Sequence, residues 1–487
     1  MKYKWTVHIA ACCFLYVCTG CVSDYTLPPD YFRESLSVFS TGPAAHADIP
    51  VPDTVDIHTC IRLVVKNSPE ILSSVADSVI AEESVTSAMS YLVPKITLEA
   101  NHTYSRFDMI EYSNPDTGNA PDELTTARLS TRYLLYDFGR ARALVSQRYA
   151  DTDAARARVR TVTDRMVISA VTLFYSVRAM EEDLLIITAS IDSLAARLRD
   201  AENFFAQGIR SESSVLTVRA ALEDLKYRKA ALENMQFKTM IQLKRMMGIP
   251  LKAEISLAGE RNARSFDIDL DLGICIDAAF SVRPEIKAAR AVIVSARHGI
   301  DAAKAGRWPL FLISAEISYT DIEWMLHEGY TVRGNVSMQW DLFDAGETRS
   351  AVRIEREKLR KARLQLKRVS DTVMQEVMTA LADIRELKRQ QIALHTAIES
   401  ARRNVEEMQS LFRNKKATAA EVVEAERQLL ESRSNLNKAA YAFSRALYEL
   451  ERSTGTSVEG LVSRCAAPPK GTGTEKVEQN SSGQTKE

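Results

Sequence analysis

The sequence predicts an α+β membrane protein in which each chain gives four strands to a shared transmembrane β-barrel. A long α-helical barrel continues it, and the whole is built as an internal tandem repeat. Three observations predict this. Residue patterns recur at a fixed offset, four segments alternate apolar and polar residues, and proline-free runs carry apolar residues at spacings of three and four. Composition agrees. Across 487 residues there are only 18 glycines and 14 prolines, with 7% aromatics, which favours long helices over a large all-β or dinucleotide-binding enzyme. Lys and Arg total 63 against 64 Asp and Glu, so no basic surplus points to nucleic acid. Beyond the first twenty residues no apolar run reaches the ~18 residues of a membrane helix, which excludes an inner-membrane pump.

The chain begins with a targeting pattern. Lys2 and Lys4 precede the mostly apolar Trp5 to Val17, so residues 1–20 read as a signal peptide. Cys18-Thr19-Gly20-Cys21 ends it, and a small residue directly before Cys21 predicts lipidation at that cysteine. Cys18 stands where a leucine is usual, and a plain cleaved signal is the alternative. Residues 21–54, rich in Pro, Ser and Asp, read as a linker behind the anchor. Cys60, Cys275 and Cys465 do not make a disulfide framework.

Residues 55–250 form the first repeat and 270–457 the second, with 251–269 between them as a linker. Asn67-Ser68-Pro69-Glu70-Ile71 recurs as Val282-Arg283-Pro284-Glu285-Ile286, an offset of 215 that also relates Cys60 to Cys275 and Pro94 to Pro309. Further along, Tyr136-Asp137-Phe138-Gly139 matches Phe343-Asp344-Ala345-Gly346, and the offset is 207. The eight-residue change falls in Glu111 to Asp122, a loop longer in the first half. Cys60 and Cys275 read as small buried residues of common descent, a disulfide between them being the lesser alternative.

Each repeat opens with a helix at Pro69 or Pro284 and continues into two strands after Pro94 or Pro309. Ile96, Leu98, Ala100 and Tyr104 alternate with polar residues, as do Ala127, Leu129, Tyr133 and Leu135. In the second half, Phe311, Ile313, Ala315, Ile317 and Tyr319 make one apolar face. Gly334, Val336, Met338, Trp340 and Leu342 make the next, with Arg333, Asn335, Ser337, Gln339 and Asp341 opposite. Strands of that length and period cover a bilayer core, and Tyr104, Tyr133, Tyr319 and Trp340 suit an aromatic belt. A half-buried soluble sheet is the bland alternative. Four strands cannot close a barrel, and an open edge is not viable in lipid, so several chains must share one. Two chains or three would serve.

Helices fill the rest. From Arg140 to about Gln207 a seam including Val159, Met166, Leu173, Val177, Leu184, Ile191, Leu198 and Phe205 sustains one helix, roughly 100 Å long for ~65 residues. A turn at Gly208 leads to a return from Glu212 to Met247. The second half repeats this from Glu347, with a turn near Asn414 to Lys416 and a return to Arg452. Residues 458–487 read as a flexible tail.

The doubled helix-start prolines, strand-opening prolines and Tyr136-Asp137-Phe138-Gly139-Arg140 and Phe343-Asp344-Ala345-Gly346-Glu347 turns resemble the TolC family of outer-membrane efflux channels, as do Phe205-Ala206-Gln207-Gly208 and the helix ends at Gly248 and Gly455. The resemblance covers about residues 55 to 460. It implies a homotrimer in the outer membrane lipid, with a twelve-stranded barrel and a helical tunnel across the periplasm. It also implies a periplasmic adaptor (membrane fusion) protein and an inner-membrane pump of RND or ABC type. The function implied is a passive exit duct of an efflux or type I secretion system, without enzymatic activity or cofactor. A lipid-anchored periplasmic scaffold without a pore is the alternative.

By the same resemblance, Gln207, Gly208, Ile209, Arg210, Asn414, Lys415 and Lys416 form the periplasmic tip and adaptor contact. Lys415 stands where the family carries glycine, and Ala417 where a gate arginine is expected. Glu421 and Glu424, a turn apart, are candidates for an acidic lumen ring; solvated helix charges are the alternative. Catalytic motifs are lacking. Asp137-Phe138-Gly139 has no accompanying phosphate loop, and the seven histidines show no metal-ligand spacing.

Overall fold

A computed structural model describes residues 53–105, 122–258, 270–322, 327–457 and 461. Cys21, Cys465, the loop of unequal length and the two termini lie outside the described residues. In chain order the elements are β1 (Thr54–Val55), α1 (Ile57–Asn67), α2 (Pro69–Met89), β2 (Lys95–Ser105), β3 (Asp122–Tyr136), α3 (Arg140–Ala206) and α4 (Glu212–Met247). The second half follows with β4 (Ser256–Leu257), α5 (Leu272–Val282), α6 (Pro284–Ala305), β5 (Leu310–Ile322), β6 (His327–Gln339), α7 (Glu347–Arg413) and α8 (Ala419–Thr454). Among the described residues no helix is long and apolar enough to cross a membrane.

The helix ends follow from local chemistry. Pro69 and Pro284 each occupy the first turn of a helix, where no donor is lost, and they force Ser68 and Arg283 out of the helical region. That break separates α1 from α2 and α5 from α6. The two short helices α1 and α5 were not read from the sequence. Their signals were Asp56 and Asp271, whose side chains accept from the backbone N–H of Thr59 and Gly273. At the far ends of α4 and α8, Gly248 and Gly455 adopt φ of +67° and +66°. A Cβ at Gly248 would stand 2.7 Å from Asn67 Cβ, so both the left-handed turn and the close approach require glycine there.

The two long helices are each 67 residues, as the apolar seam predicts, and the two returning helices are each 36. α2 packs along the strand end of α3 and α4 along its far end, so two shorter rods lie stacked against one long one. α6 packs between α3 and α7, and its Gly299 lies beside Gln147 of α3 and Glu355 of α7. Ala141, Ala154 and Ala155 on α3 are buried, as are Ala288, Ala289, Ala296 and Gly299 on α6. The joint is locked by Ser295 Oγ, which donates to Asp151 Oδ1 at 2.6 Å.

Two apolar clusters mark the middle of the molecule. One gathers Val55, Cys60, Val64 and Ile71 around Phe174, Leu243 and Met247; the other gathers Cys275, Ile286, Val373, Val377 and Leu450. Cys60 and Cys275 are both fully buried, as expected, and sit in different clusters. Burial pushes the Cys60 thiol up to about 12, with Asp56 adding to it, so it stays protonated as a small apolar filler. The segment predicted as a linker contributes β4, whose Ser256 and Leu257 pair in parallel with Thr54 and Val55.

The four long strands form one antiparallel sheet in the order β2-β3-β5-β6. Its register puts the predicted apolar positions side by side. Leu98 pairs with Leu129, Leu129 with Ile317, and Ile317 with Val332. One level away, Ala100, Ala127, Tyr319 and Tyr330 align. The opposite face carries Glu99 against Arg128 and Glu316 against Arg333. The alternation read from four separate segments therefore makes one continuous apolar face, and its side chains are exposed (Leu98 is 74% and Val336 66%). Leu135 is the exception. A register shift between Leu134 and Tyr136 takes it out of the pairing.

Candidate functional site

Three regions hold the residues singled out by the sequence: the aromatic ends of the sheet, the strand-to-helix turns, and the tip formed by the two helix hairpins. At the sheet, Tyr104 and Tyr319 lie towards the ends of β2 and β5 farther from the helices, where Tyr319 meets Tyr330 with ring centroids 5.2 Å apart. Tyr133 and Trp340 lie at the other end. There the indole Nε1 of Trp340 donates to the Arg307 carbonyl at 3.2 Å. Phe138 stacks on Trp308 at 5.2 Å and meets Tyr136 edge-on at 4.8 Å. The four aromatic residues named from the sequence thus lie at two levels of the sheet, and Tyr330, Phe138 and Trp308 stand beside them without having been named. Tyr330 continues the alternation of β6 two residues before Val332 and four before Gly334, whereas Phe138 and Trp308 lie just outside the strands.

Each strand-to-helix turn is built by an aspartate. Asp137 accepts from the N–H of Gly139 at 3.1 Å and of Ala141 at 2.6 Å; Asp344 accepts from Gly346 and Thr348, both at 2.9 Å. Phe138 and Ala345 take positive φ before glycines at φ +87° and +90°, so the chain reverses within two residues. These carboxylates satisfy N–H groups that a helix start leaves open, which is why this motif is a structural turn and not a phosphate site. Hydrogen bonds from Thr348 and then Gly346 hold Asp344 down to about 2 from an ordinary 3.8. Its folded value is below its unfolded one, so the stabilisation is complete above about pH 4 and lost as pH falls towards 2. Across that window the thermal midpoint of the wild type is expected to fall more than that of Asp344→Asn. Equal falls in thermal melts at pH 5 and pH 2.5 would remove the turn from the acid response.

At the tip, Gln207 and Gly208 are exposed at the first turn, with Ile209 half-buried, and Asn414, Lys415 and Lys416 are exposed at the second. Lys415 adopts φ +61°, matching Gly208 at +69°. The departure from glycine therefore retains the left-handed turn, at a strain of about 1–2 kcal/mol. Arg210 does not project outward. Its Nη2 donates to the carbonyls of Ala417 at 2.7 Å and Phe412 at 3.2 Å, and its guanidinium lies 4.9 Å from the Phe412 ring centroid. Phe412, Ala417, Ala419 and Val422 bury against Ala201, Val215 and Val218, so the two hairpins share one apolar plug.

Glu421 and Glu424 are exposed. Glu421 closes a capping box with Thr418, whose N–H and hydroxyl hold its carboxyl below the usual range. Glu424 is likewise lowered, by the hydrogen bond from Arg427.

Residues that sequence reasoning missed tie the hairpins together farther from the tip. Glu426 is 8% exposed and accepts from Ser193 Oγ at 2.9 Å and Gln409 Nε2 at 3.0 Å. Asp183 is 5% exposed and accepts from Asn437 Nδ2 at 2.7 Å and Ser434 Oγ at 3.1 Å. Their signal was legible. Val422, Glu426, Leu430, Ser434, Asn437 and Tyr441 recur at spacings of four and three, so polar residues interrupt an apolar stripe on α8. No group of acidic, histidine or cysteine side chains suited to a metal occurs among the described residues.

Comparison with known proteins accounts for this architecture. A family model described as outer membrane efflux protein matches residues 60–249 and again 275–456. The chain is similar to outer membrane protein TolC of Escherichia coli, 21% identical over 408 residues, covering 80% of each protein. Nodulation protein T of Rhizobium leguminosarum bv. trifolii is 22% identical over 385 residues, covering 77% of this chain and 80% of that protein. Among solved structures, the channel CusC superposes with a TM-score of 0.74 at 17% identity, covering 82% of this chain and 92% of that one, which shows the shared fold. With both halves matched and the strand and tip geometry in place, the chain belongs to the outer membrane efflux protein family, and is an outer-membrane channel component of an efflux or secretion system.

Proposed function

We propose that three copies of this chain close one twelve-stranded barrel in the outer membrane and one helical tunnel below it, forming a passive exit duct. The observation that carries this is the sheet itself. β2 and β6 are its edge strands within the chain, and its apolar face is continuous to both edges. An edge cannot stand in lipid, so β6 of one copy must pair with β2 of the next. Three copies of four strands also match the trimer that the family resemblance implies. The equal long helices, equal returning helices and doubled family match support descent from a duplicated unit.

In this reading Cys21 carries the lipid anchor, and the helices extend into the periplasm. The exposed turn residues Gln207, Gly208, Asn414, Lys415 and Lys416 meet a periplasmic adaptor, which joins the duct to an inner-membrane pump of RND or ABC type. Ile209 and Arg210 brace those turns from within. Transport energy comes from that pump; the chain itself does no chemistry. Glu421, whose carboxylate is not shared with an arginine, is the stronger candidate for a lumen acid, Glu424 being paired with Arg427. Glu426, Asp183 and Arg210 act as ties that restrain the tip.

The test is the native mass of Cys21→Ala protein extracted in detergent, corrected for bound detergent. A mass of three chains is expected. A detergent-free monomer or dimer would overturn the shared barrel.

A further inference from the structure

We infer that the lumenal face of the strands carries a cationic collar at its helix-proximal end, made by Lys95 and Arg132, and that this section of the duct favours small anions over cations. This rests on the barrel reading above, because the polar face of the sheet becomes the lumen only when the apolar face meets lipid.

Lys95 and Arg132 are direct cross-strand partners on the polar face, and both are exposed. Like charges placed opposite each other repel, and the rest of the face does not relieve them. Its strand carboxylates stand at other levels of the sheet. Glu316 lies 3.5 Å from Arg128 Nε and 3.9 Å from Arg333 Nη1, and Glu99 stands opposite Arg128 in register. On the strands, four basic positions (Lys95, Arg128, Arg132 and Arg333) therefore share this face with three acidic ones, Glu99, Glu316 and Asp122, the last in register with Ser105 at the far end of the sheet. At the collar's own end Asp341 lies just beyond β6, and the carboxylates of Asp137 and Asp344 in the turns are taken up by backbone N–H groups.

Threefold repetition would bring six collar cations to one level of the wall. At physiological salt the screening length is about 8 Å, comparable to the radius of a pore that side chains do not fill, so such a ring acts across much of the lumen. An unrelieved ring of cations is the arrangement by which anion-passing pores draw their ions.

The experiment is the reversal potential of single channels of the full-length protein under a tenfold KCl gradient in a planar bilayer. With Glu421→Gln removing the acidic candidate at the tip, a chloride-to-potassium permeability ratio of about 2 or more is expected at low salt, falling towards 1 as molar salt screens the collar. Lys95→Gln with Arg132→Gln is expected to lower the low-salt ratio at least twofold, and Lys95→Arg to preserve it. A ratio that is independent of salt, or unmoved in the double variant, would overturn the collar. Failure of the wild type to form channels at all would instead overturn the barrel on which the inference rests.

Discussion

Replacing Arg283 by alanine is expected to destabilise the chain by about 3–5 kcal/mol, the cost of breaking a buried ion pair from one side. The guanidinium is 3% exposed and satisfies four groups at once. It donates to Glu285 at 2.9 Å and Glu376 at 2.8 Å, and to the carbonyls of Arg452 and Ser453 at 3.3 and 3.2 Å. Those carbonyls end α8, so one side chain joins the start of α6, the middle of α7 and the last turn of α8. Alanine leaves two partly buried carboxylates with one remaining cation, Arg452, which lies 3.0 Å from Glu376. Arg283→Lys keeps the charge and loses the fork, so it should recover only part of the loss. Denaturant unfolding of the detergent-solubilised protein measures both. A loss under 1 kcal/mol for alanine would show that water enters and replaces the contacts.

The second large effect is expected on conductance. Removing two ties together, with Arg210→Ala and Asp183→Ala, should raise single-channel conductance several-fold while the native mass stays at three chains. Each tie holds the second hairpin to the first through hydrogen bonds that involve a charged group, worth about 1.5–3 kcal/mol apiece. The change is therefore large against a tip held by a few such contacts. Substituting Lys415→Ala, which points its charge to solvent and makes no such tie, should leave conductance unaltered. Unchanged conductance in a double variant that is still trimeric would sink the view that these contacts restrain the tip.

Much of this was legible in one dimension. A period of two over four segments defined the strands and the face each presents, because strand side chains alternate whatever their neighbours. The 215 and 207 offsets aligned the two halves, and the breaks at Pro69 and Pro284 follow from steric rules that act within two residues. The α1 and α5 helices escaped notice because each is only 11 residues, and most of the stabilisation of so short a helix comes from packing, not from its own pattern.

What the sequence by itself determined is thus the four long strands, the long and returning helices with their approximate lengths, and the apolar face of each long strand. These depend on interactions among residues close in the chain. The tertiary structure alone decided which polar side chains meet across helices. Arg210 lies in a tip turn and reads as a surface cation until the second hairpin puts two carbonyls and a ring beside it. Asp183 and Asn437 are 254 residues apart, and Arg283 and Glu376 are 93 apart. The physical reason is that helical periodicity fixes which way a side chain points from its own axis. The rotation and slide of one helix against another are set by the packing of buried side chains along the whole contact, and no local rule contains them.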